Sequence, residues 1–272
     1  MKWRGRKTSS NVEDKRMQTA QGGMNLQVLL PLIRWLMGSK IGRIILIIGG
    51  IAMLMGYNPL GIFGLSSSSS NKAPLTQKDM EMSEFAGVIL AETENVWKEI
   101  LTPYEEPKMV LFRGATNSGC GFASSQVGPF YCPLDKKLYL DLSFFDELAK
   151  RHDAPGDFAA AYVIAHEVGH HIQNLLGLLN QKPYSNKNQN SVAIELQADC
   201  FAGIWANHSK HLLEDGDIEE ALNAASMIGD DVLQEKAQGY AVPDSFTHGS
   251  AKQRRDAFYL GYKEGDVKKC RF

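Results

Sequence analysis

The chain has 272 residues, of which 44% are hydrophobic, 22% charged and 9% aromatic. This composition excludes a wholly disordered chain, a collagen-like fibre and a small disulfide-rich domain. The formal net charge of −2 excludes a protein that binds polyanions over its whole surface.

Positive charge is concentrated at the N-terminus. Residues 1–43 carry nine Lys and Arg residues and two acids, whereas the rest of the chain has a net charge of −9. The basic residues are not interleaved with aromatic ones, so we expect no nucleic-acid partner. A basic segment directly before an apolar one instead predicts a cytoplasmic, juxtamembrane segment.

Residues 44–63, IILIIGGIAMLMGYNPLGIF, contain no charged side chain. A helix rising about 1.5 Å per residue would there match the roughly 30 Å hydrocarbon core of a bilayer. We therefore predict a single transmembrane helix, with the N-terminus cytoplasmic, the rest of the chain exported and membrane lipid as a partner. A buried core helix is the alternative.

The serine-rich residues 64–75 predict a flexible linker before a folded domain at residues 76–272. Hydrophobic spacing and capping residues predict the elements of that domain. Helices are expected at residues 76–101, 143–150, 157–176 and 191–211, and two more are expected to begin at residues 217 and 250. Strands are expected at residues 109–113 and 137–142. Loops are expected at residues 114–133 and 181–190. Mostly helix with a small sheet indicates an α+β fold.

The four cysteines, Cys120, Cys132, Cys200 and Cys270, all follow the apolar segment. Cys120 and Cys132 flank a stretch rich in Gly, Ser and Pro, which favours a bond between them and leaves Cys200 for Cys270. Four cysteines allow three pairings, and four free thiols are the alternative. Because the chain contains no Cys-x-x-Cys pair, we do not expect a thiolate zinc site.

The segment with most chemical content is HEVGH at residues 166–170, within the predicted helix 157–176. His166 and His170 are four residues apart, so they share one helix face and can bind the same metal ion. Glu167 projects toward that side and can take a proton from a metal-bound water. Two small neighbours allow another element to approach closely: Ala165 and Gly169.

A catalytic zinc ion has three protein ligands and one open position. His171 points about 100° away from His170 on the helix, so the third ligand must come from elsewhere. The next predicted helix contains Glu195 and Asp199, four residues apart on one face. We expect Glu195 to bind the metal and Asp199 to accept a hydrogen bond from a ligand histidine; a solvated acidic face is the alternative.

A helix with His-Glu-x-x-His followed by one with Glu-x-x-x-Asp resembles the gluzincin metallopeptidases, the class of thermolysin. More closely, the chain resembles the YpfJ-like neutral zinc metallopeptidases of bacteria in five segments: MKWRGRKTSSNVEDKR, SGCGFASSQVGPFYCPLDKKLYLDLSFF, HEVGHHIQ, ELQADCFAG and PDSFTHGSAKQR. The resemblance implies a zincin-like domain holding one zinc ion through His166, His170 and Glu195, with Glu167 as general base. It also implies a location in the bacterial inner membrane.

The activity so implied is endopeptidase cleavage of a peptide or protein, in which a zinc-activated water attacks the carbonyl and Glu167 takes its proton. The substrate is expected to pair with an edge strand, for which residues 137–142 are the candidate and an internal strand the alternative.

The oxyanion that develops in this reaction needs a hydrogen-bond donor. Four side chains are candidates: Tyr184, His208, Tyr240 and His248. His248 is favoured because the stretch from Thr247 to Arg254 resembles one in HtpX-like zinc peptidases, in which the His lies at the active site; Gly249 stands here where that family has Pro.

Two other functions compete with this one. A zinc-stabilised binding module would need a fourth protein ligand and no Glu167. A membrane-tethered scaffold could retain the same residues without proteolytic activity.

Overall fold

The computed structural model describes residues 1–18, 38, 73–151, 154–181 and 183–272. In that part of the chain the strands are β1 (Val12–Asp14), β2 (Lys108–Phe112), β3 (Ala115–Ser118), β4 (Gly121–Ser124), β5 (Phe130–Cys132) and β6 (Lys137–Asp141). The α-helices are α1 (Gln77–Ile100), α2 (Ser143–Arg151), α3 (Asp157–Leu175), α4 (Lys187–His208), α5 (Asp217–Met227), α6 (Asp230–Gln238) and α7 (Ala251–Glu264). The arrangement is mostly helical α+β with a small sheet.

Four strands form one sheet in the order β1-β2-β6-β5. β2 runs parallel to both β1 and β6, and β5 runs antiparallel to β6. Four of the five residues of β2 are buried, which is typical of a parallel strand covered on both faces. β6 is therefore an internal strand, and β5 ends the sheet on one side within the described residues.

The stretch predicted as a loop, residues 114–133, contains three short strands. β3 and β4 form an antiparallel hairpin, and β5 joins the main sheet. Backbone pairing forms these strands without a run of alternating apolar residues, so hydrophobic periodicity gave no signal for them.

α3 lies at the centre of the helical layer, and most of its side chains are buried. It packs against α1, α4 and α5 and against β5. α4 in turn packs closely on α7: a Cβ at Gly261 would lie 1.9 Å from the carbonyl oxygen of Cys200, so only glycine fits there. A helix begins at Lys187, inside the predicted loop 181–190, because Asn186 caps it.

The structure contains the disulfide bonds Cys120–Cys132 and Cys200–Cys270. The first connects the turn between β3 and β4 to β5. The second connects the middle of α4 to the C-terminal segment. Of the three possible pairings, this is the one that the sequence favoured.

Residues 1–18 pack into the domain, whereas the sequence predicted a segment separate from it. Trp3 is 6% exposed and lies in the main core, where its ring meets Phe85 edge-on with centroids 5.3 Å apart. β1 extends the sheet beside β2, and Arg16 donates a hydrogen bond to the backbone carbonyl of Asp79 at 2.7 Å. Residues 1–18 therefore belong to the same folded unit as the helices.

The predicted single transmembrane helix requires a correction. Among the residues that the structure describes, no helix is both long and apolar enough to cross a membrane. Residues 44–63 themselves, like the linker residues 64–72, lie outside the described residues. A single crossing between residues 18 and 73 would also separate residues 1–18 from the domain into which they pack.

Candidate metal and catalytic site

Two histidines of α3 and one carboxylate of α4 meet between the two helices. His166 Nε2 lies 3.2 Å from Glu195 Oε2, and His170 Nε2 lies 3.6 Å from Glu195 Oε1. One donor atom from each of the three residues lies within 4.8 Å of the other two. The structure thus brings together the three side chains that the sequence predicted as ligands.

Close contact between α3 and α4 makes this convergence possible. A Cβ at Gly169 would lie 2.8 Å from the backbone carbonyl oxygen of Ala198, a distance that real Cβ atoms essentially never show. A glycine one residue before His170 therefore lets the two backbones approach, as the small residues in the sequence indicated.

A partner behind each histidine orients its ring. Asp199 Oδ1 lies 2.8 Å from His166 Nδ1, and Gln173 Oε1 lies 2.8 Å from His170 Nδ1. The amide nitrogen of Gln173 donates to the Ile194 carbonyl, so its oxygen faces the histidine. Since each Nδ1–H donates to an oxygen, Nε2 is the atom of each ring that would bind a metal once it has lost its proton.

Asp199 is completely buried and carries a full set of hydrogen bonds. Its carboxylate accepts from the Tyr162 hydroxyl at 2.6 Å, as well as from His166, and from Arg254 Nε and Nη2 at 2.9 and 3.0 Å. Burial raises the pKa of Asp199, but the charges of Arg254 and His166 outweigh burial and lower that pKa to about 2. Asp199 is therefore an ionised acceptor behind His166.

Burial and the neighbouring charged groups also shift the pKa values of the proposed ligand residues. Burial lowers the pKa of His166, but the carboxylates of Asp199 and Glu195 outweigh it and raise that pKa to about 10. Burial raises the pKa of Glu195, whereas the two histidines bring it well below its ordinary value. A metal ion entering this group must displace protons from the imidazoles.

Glu167 lies beside the three ligand residues in an open cleft of about 530 Å³. Burial is the main cause that raises the pKa of Glu167, with the neighbouring histidines opposing it. A raised pKa is the direction that suits a carboxyl group acting as a proton acceptor and donor. Apolar side chains form most of the remaining wall: Val127, Phe130, Phe144, Val163, Leu179, Ile228 and Leu233.

Of the four candidate oxyanion donors, His248 lines this cleft. Its Nδ1 lies 3.2 Å from Asp230 Oδ1, and the hydrogen bond to this carboxylate is the main cause that raises the pKa of His248. The other three candidates do not line this cleft. Tyr184 lines a different groove, and Tyr240 is 62% exposed. His208 contacts the carbonyl of Gly265. The role of His248 stays a prediction.

The donor atoms suit a catalytic zinc ion, because two imidazole nitrogens and one carboxylate are a common ligand set for it. Within the described residues, no fourth His, Cys, Asp or Glu joins this group. A second set of carboxylates, Asp157, Asp217 and Glu220, could also hold a metal. There, however, the Met1 amine lies 3.0 Å from Asp157 Oδ1 and supplies a positive charge.

Sequence reasoning missed two residues of this site. Gln173 follows His170 by three residues on the same helix face, a spacing that could have indicated it. Tyr162 precedes His166 by one turn, and its hydroxyl reaches the same carboxylate. Arg254, by contrast, was expected from the sequence to anchor an acid or a carbonyl rather than to touch substrate, and it donates to the carboxylate of Asp199.

Two histidines of a His-Glu-x-x-His segment and a glutamate of the next helix are the type of ligand set that zinc peptidases use. The whole chain, residues 1–272, matches the model of the family described as "Putative neutral zinc metallopeptidase". It is 43% identical to the protein YpfJ of Escherichia coli (strain K12), over 99% of this chain and 98% of that one. It is 40% identical to Mb2605 of Mycobacterium bovis, over 80% and 84% of the two chains.

The chain therefore belongs to this neutral zinc metallopeptidase family, as its sequence motifs indicated. No solved structure matches it significantly.

Proposed function

We propose that this protein is a zinc-dependent endopeptidase with His166, His170 and Glu195 as zinc ligands and Glu167 as general base. The observation that carries the proposal is the convergence of three ligand side chains at the floor of an open cleft, with Glu167 beside them. A purely structural zinc site would be closed by a fourth protein ligand and would not need this carboxylate.

Each residue has a defined task in the proposed reaction. A bound zinc ion supplies Lewis-acid chemistry, polarising a carbonyl and making a water acidic. Glu167 accepts the proton of the attacking water and delivers it to the leaving amide nitrogen. His248 donates to the carbonyl oxygen as that oxygen gains negative charge. Asp199 and Gln173 keep the two imidazoles in one tautomer and orientation.

The substrate is proposed to bind along β5. The sequence favoured residues 137–142 for this role, but β6 lies between β2 and β5, and its residues Lys137–Tyr139 are paired with both of these strands. β5 ends the sheet in the described part of the chain, and Phe130 and Tyr131 line the cleft. An extended peptide can add to such an edge by backbone hydrogen bonds.

The two disulfide bonds support a location for the domain in an oxidising compartment. Cys120–Cys132 and Cys200–Cys270 together use every cysteine of the chain. Disulfides of this structural kind persist outside the reducing cytosol. We propose that the peptide substrate is met in that compartment.

The test is hydrolysis of an unfolded protein substrate by the zinc-loaded protein and by Glu167→Gln. We expect the variant to retain zinc and to lose activity by at least about 10²-fold, because a general base contributes that much. Glu219→Gln, which changes an exposed glutamate of α5, is the control and should retain full activity. A zinc-loaded wild-type protein without activity would instead support the inactive scaffold.

A further inference from the structure

His171 follows a proposed zinc ligand directly but faces away from the metal site. It is completely buried, with Nε2 2.7 Å from the backbone carbonyl oxygen of Glu105 and Nδ1 3.1 Å from the Tyr131 hydroxyl. A carbonyl oxygen can only accept, so Nε2 carries the proton and donates to it. Nδ1 is then the acceptor for the hydroxyl of Tyr131.

The Tyr131 hydroxyl has a second partner on the same helix. Asn174 Nδ2 donates to it at 2.9 Å, while the hydroxyl itself donates to His171. His171 and Asn174 are three residues apart, so they lie on one face of α3. One hydroxyl of β5 is thus bonded twice to the helix that carries His166 and His170.

We propose that His171 and Asn174 are positioning residues, which set the position of β5 relative to the metal ligands through the Tyr131 hydroxyl. This inference rests on the proposed function, in which β5 holds the substrate backbone. A fixed edge strand places the scissile carbonyl at one depth in the cleft, beside Glu167. Small displacements of a bound substrate strongly reduce its rate of reaction. The two hydrogen bonds of the Tyr131 hydroxyl, called the Tyr131 tether below, therefore determine how efficiently long peptides are bound and cleaved.

The neighbouring Tyr104 provides a matched control. Its ring also packs edge-on against His171, with centroids 6.2 Å apart, close to the 5.5 Å of Tyr131. Within the described structure, the buried Tyr104 hydroxyl has no hydrogen-bond partner. Tyr104→Phe therefore removes a hydroxyl from the same surroundings without removing the tether.

The experiment compares Tyr131→Phe, Asn174→Ala and Tyr104→Phe in the full chain loaded with zinc. The first readout is amide hydrogen exchange of β5, which does not depend on activity. The second is KM and kcat for a peptide long enough to pair with β5 and for a blocked dipeptide that is too short. Zinc content is measured for every variant.

Tyr131→Phe should speed exchange in β5 and raise KM for the long peptide, each by at least about threefold, since both hydrogen bonds of the hydroxyl are lost. Asn174→Ala should act in the same direction and more weakly. For both variants zinc content should stay near wild type and the short substrate should lose less of its kcat/KM than the long peptide does, whereas Tyr104→Phe should change nothing.

The proposal is overturned if β5 exchanges equally in Tyr131→Phe and Tyr104→Phe, or if both substrates lose activity to the same extent. If the wild-type protein cleaves neither substrate while β5 still loosens only in Tyr131→Phe and Asn174→Ala, the proposed function fails and the tether of β5 is upheld.

Discussion

Arg254 of α7 donates two hydrogen bonds to Asp199 of α4, from Nε at 2.9 Å and from Nη2 at 3.0 Å. Both side chains are buried, and Asp199 is also the acceptor behind His166. The positive charge of Arg254 therefore compensates the carboxylate that orients a proposed zinc ligand. This pair links α7 to the proposed metal site.

Arg254→Met should destabilise the protein by about 3–5 kcal/mol, because it leaves a buried carboxylate without its counter-charge. The measurement is the free energy of unfolding in urea, made with a chelator present so that bound metal adds nothing. Arg255→Met, which changes the exposed neighbouring arginine, should cost less than about 0.5 kcal/mol. Equal stabilities for the two variants would contradict this role of Arg254.

The spacing of the HEVGH segment was sufficient to predict which residues face each other at this site. A four-residue spacing fixes a helix face, so His166 and His170 had to be neighbours, and so did Glu195 and Asp199. The close contact between α3 and α4 was indicated less directly, by the small residue Gly169 in the first of these helices. The Tyr131 tether could not be predicted, because Tyr131 lies in a Gly- and Ser-rich stretch without periodicity, forty residues before its partner His171.

The N-terminal residues show a second limit of prediction. Their positive charge and the apolar run that follows favoured a segment outside the domain. The three residues of β1 are too few for a hydrophobic pattern, and their partner β2 is distant in the sequence. Strand pairing of this kind depends on tertiary contacts rather than on local propensity.

Trp3→Ala tests whether residues 1–18 belong to the domain. Removing this buried ring should lower the free energy of unfolding by about 3–5 kcal/mol. Arg4→Ala is the control: its guanidinium lies 4.8 Å from the Trp3 ring centroid in a largely exposed position, so about 0.5–1 kcal/mol is expected. If Trp3→Ala costs no more than Arg4→Ala, the N-terminal residues do not stabilise the fold.

The ion pair between His248 and Asp230 predicts how activity depends on pH. The hydrogen bond that His248 donates to Asp230 raises the pKa of His248, so the cationic donor persists to higher pH than for an ordinary histidine. Asp230→Asn should lower the pKa of His248. The fall of kcat/KM on the alkaline side of its pH profile (the alkaline limb) should therefore occur at lower pH. Asp244→Asn, at an exposed position, should leave the limb unchanged. An unmoved limb in Asp230→Asn would exclude His248 as the donor.

The two disulfide bonds should contribute unequally to stability. They close loops with sequence separations of 70 and 12 residues, for Cys200–Cys270 and Cys120–Cys132 respectively. The loop-entropy relation gives about 4 kcal/mol for the longer loop and about 3 kcal/mol for the shorter one. Denaturation of the two double Cys→Ser variants measures these values, and the reverse order would contradict the entropic account.

Zinc content is the most direct test of the ligand set. We expect one zinc per chain in the wild type and in Glu220→Gln, which changes the second carboxylate group. His166→Ala and Glu195→Ala should each reduce bound zinc strongly, measured by elemental analysis after dialysis against a weak chelator. Full zinc content in Glu195→Ala, or its loss only in Glu220→Gln, would contradict a site formed by His166, His170 and Glu195.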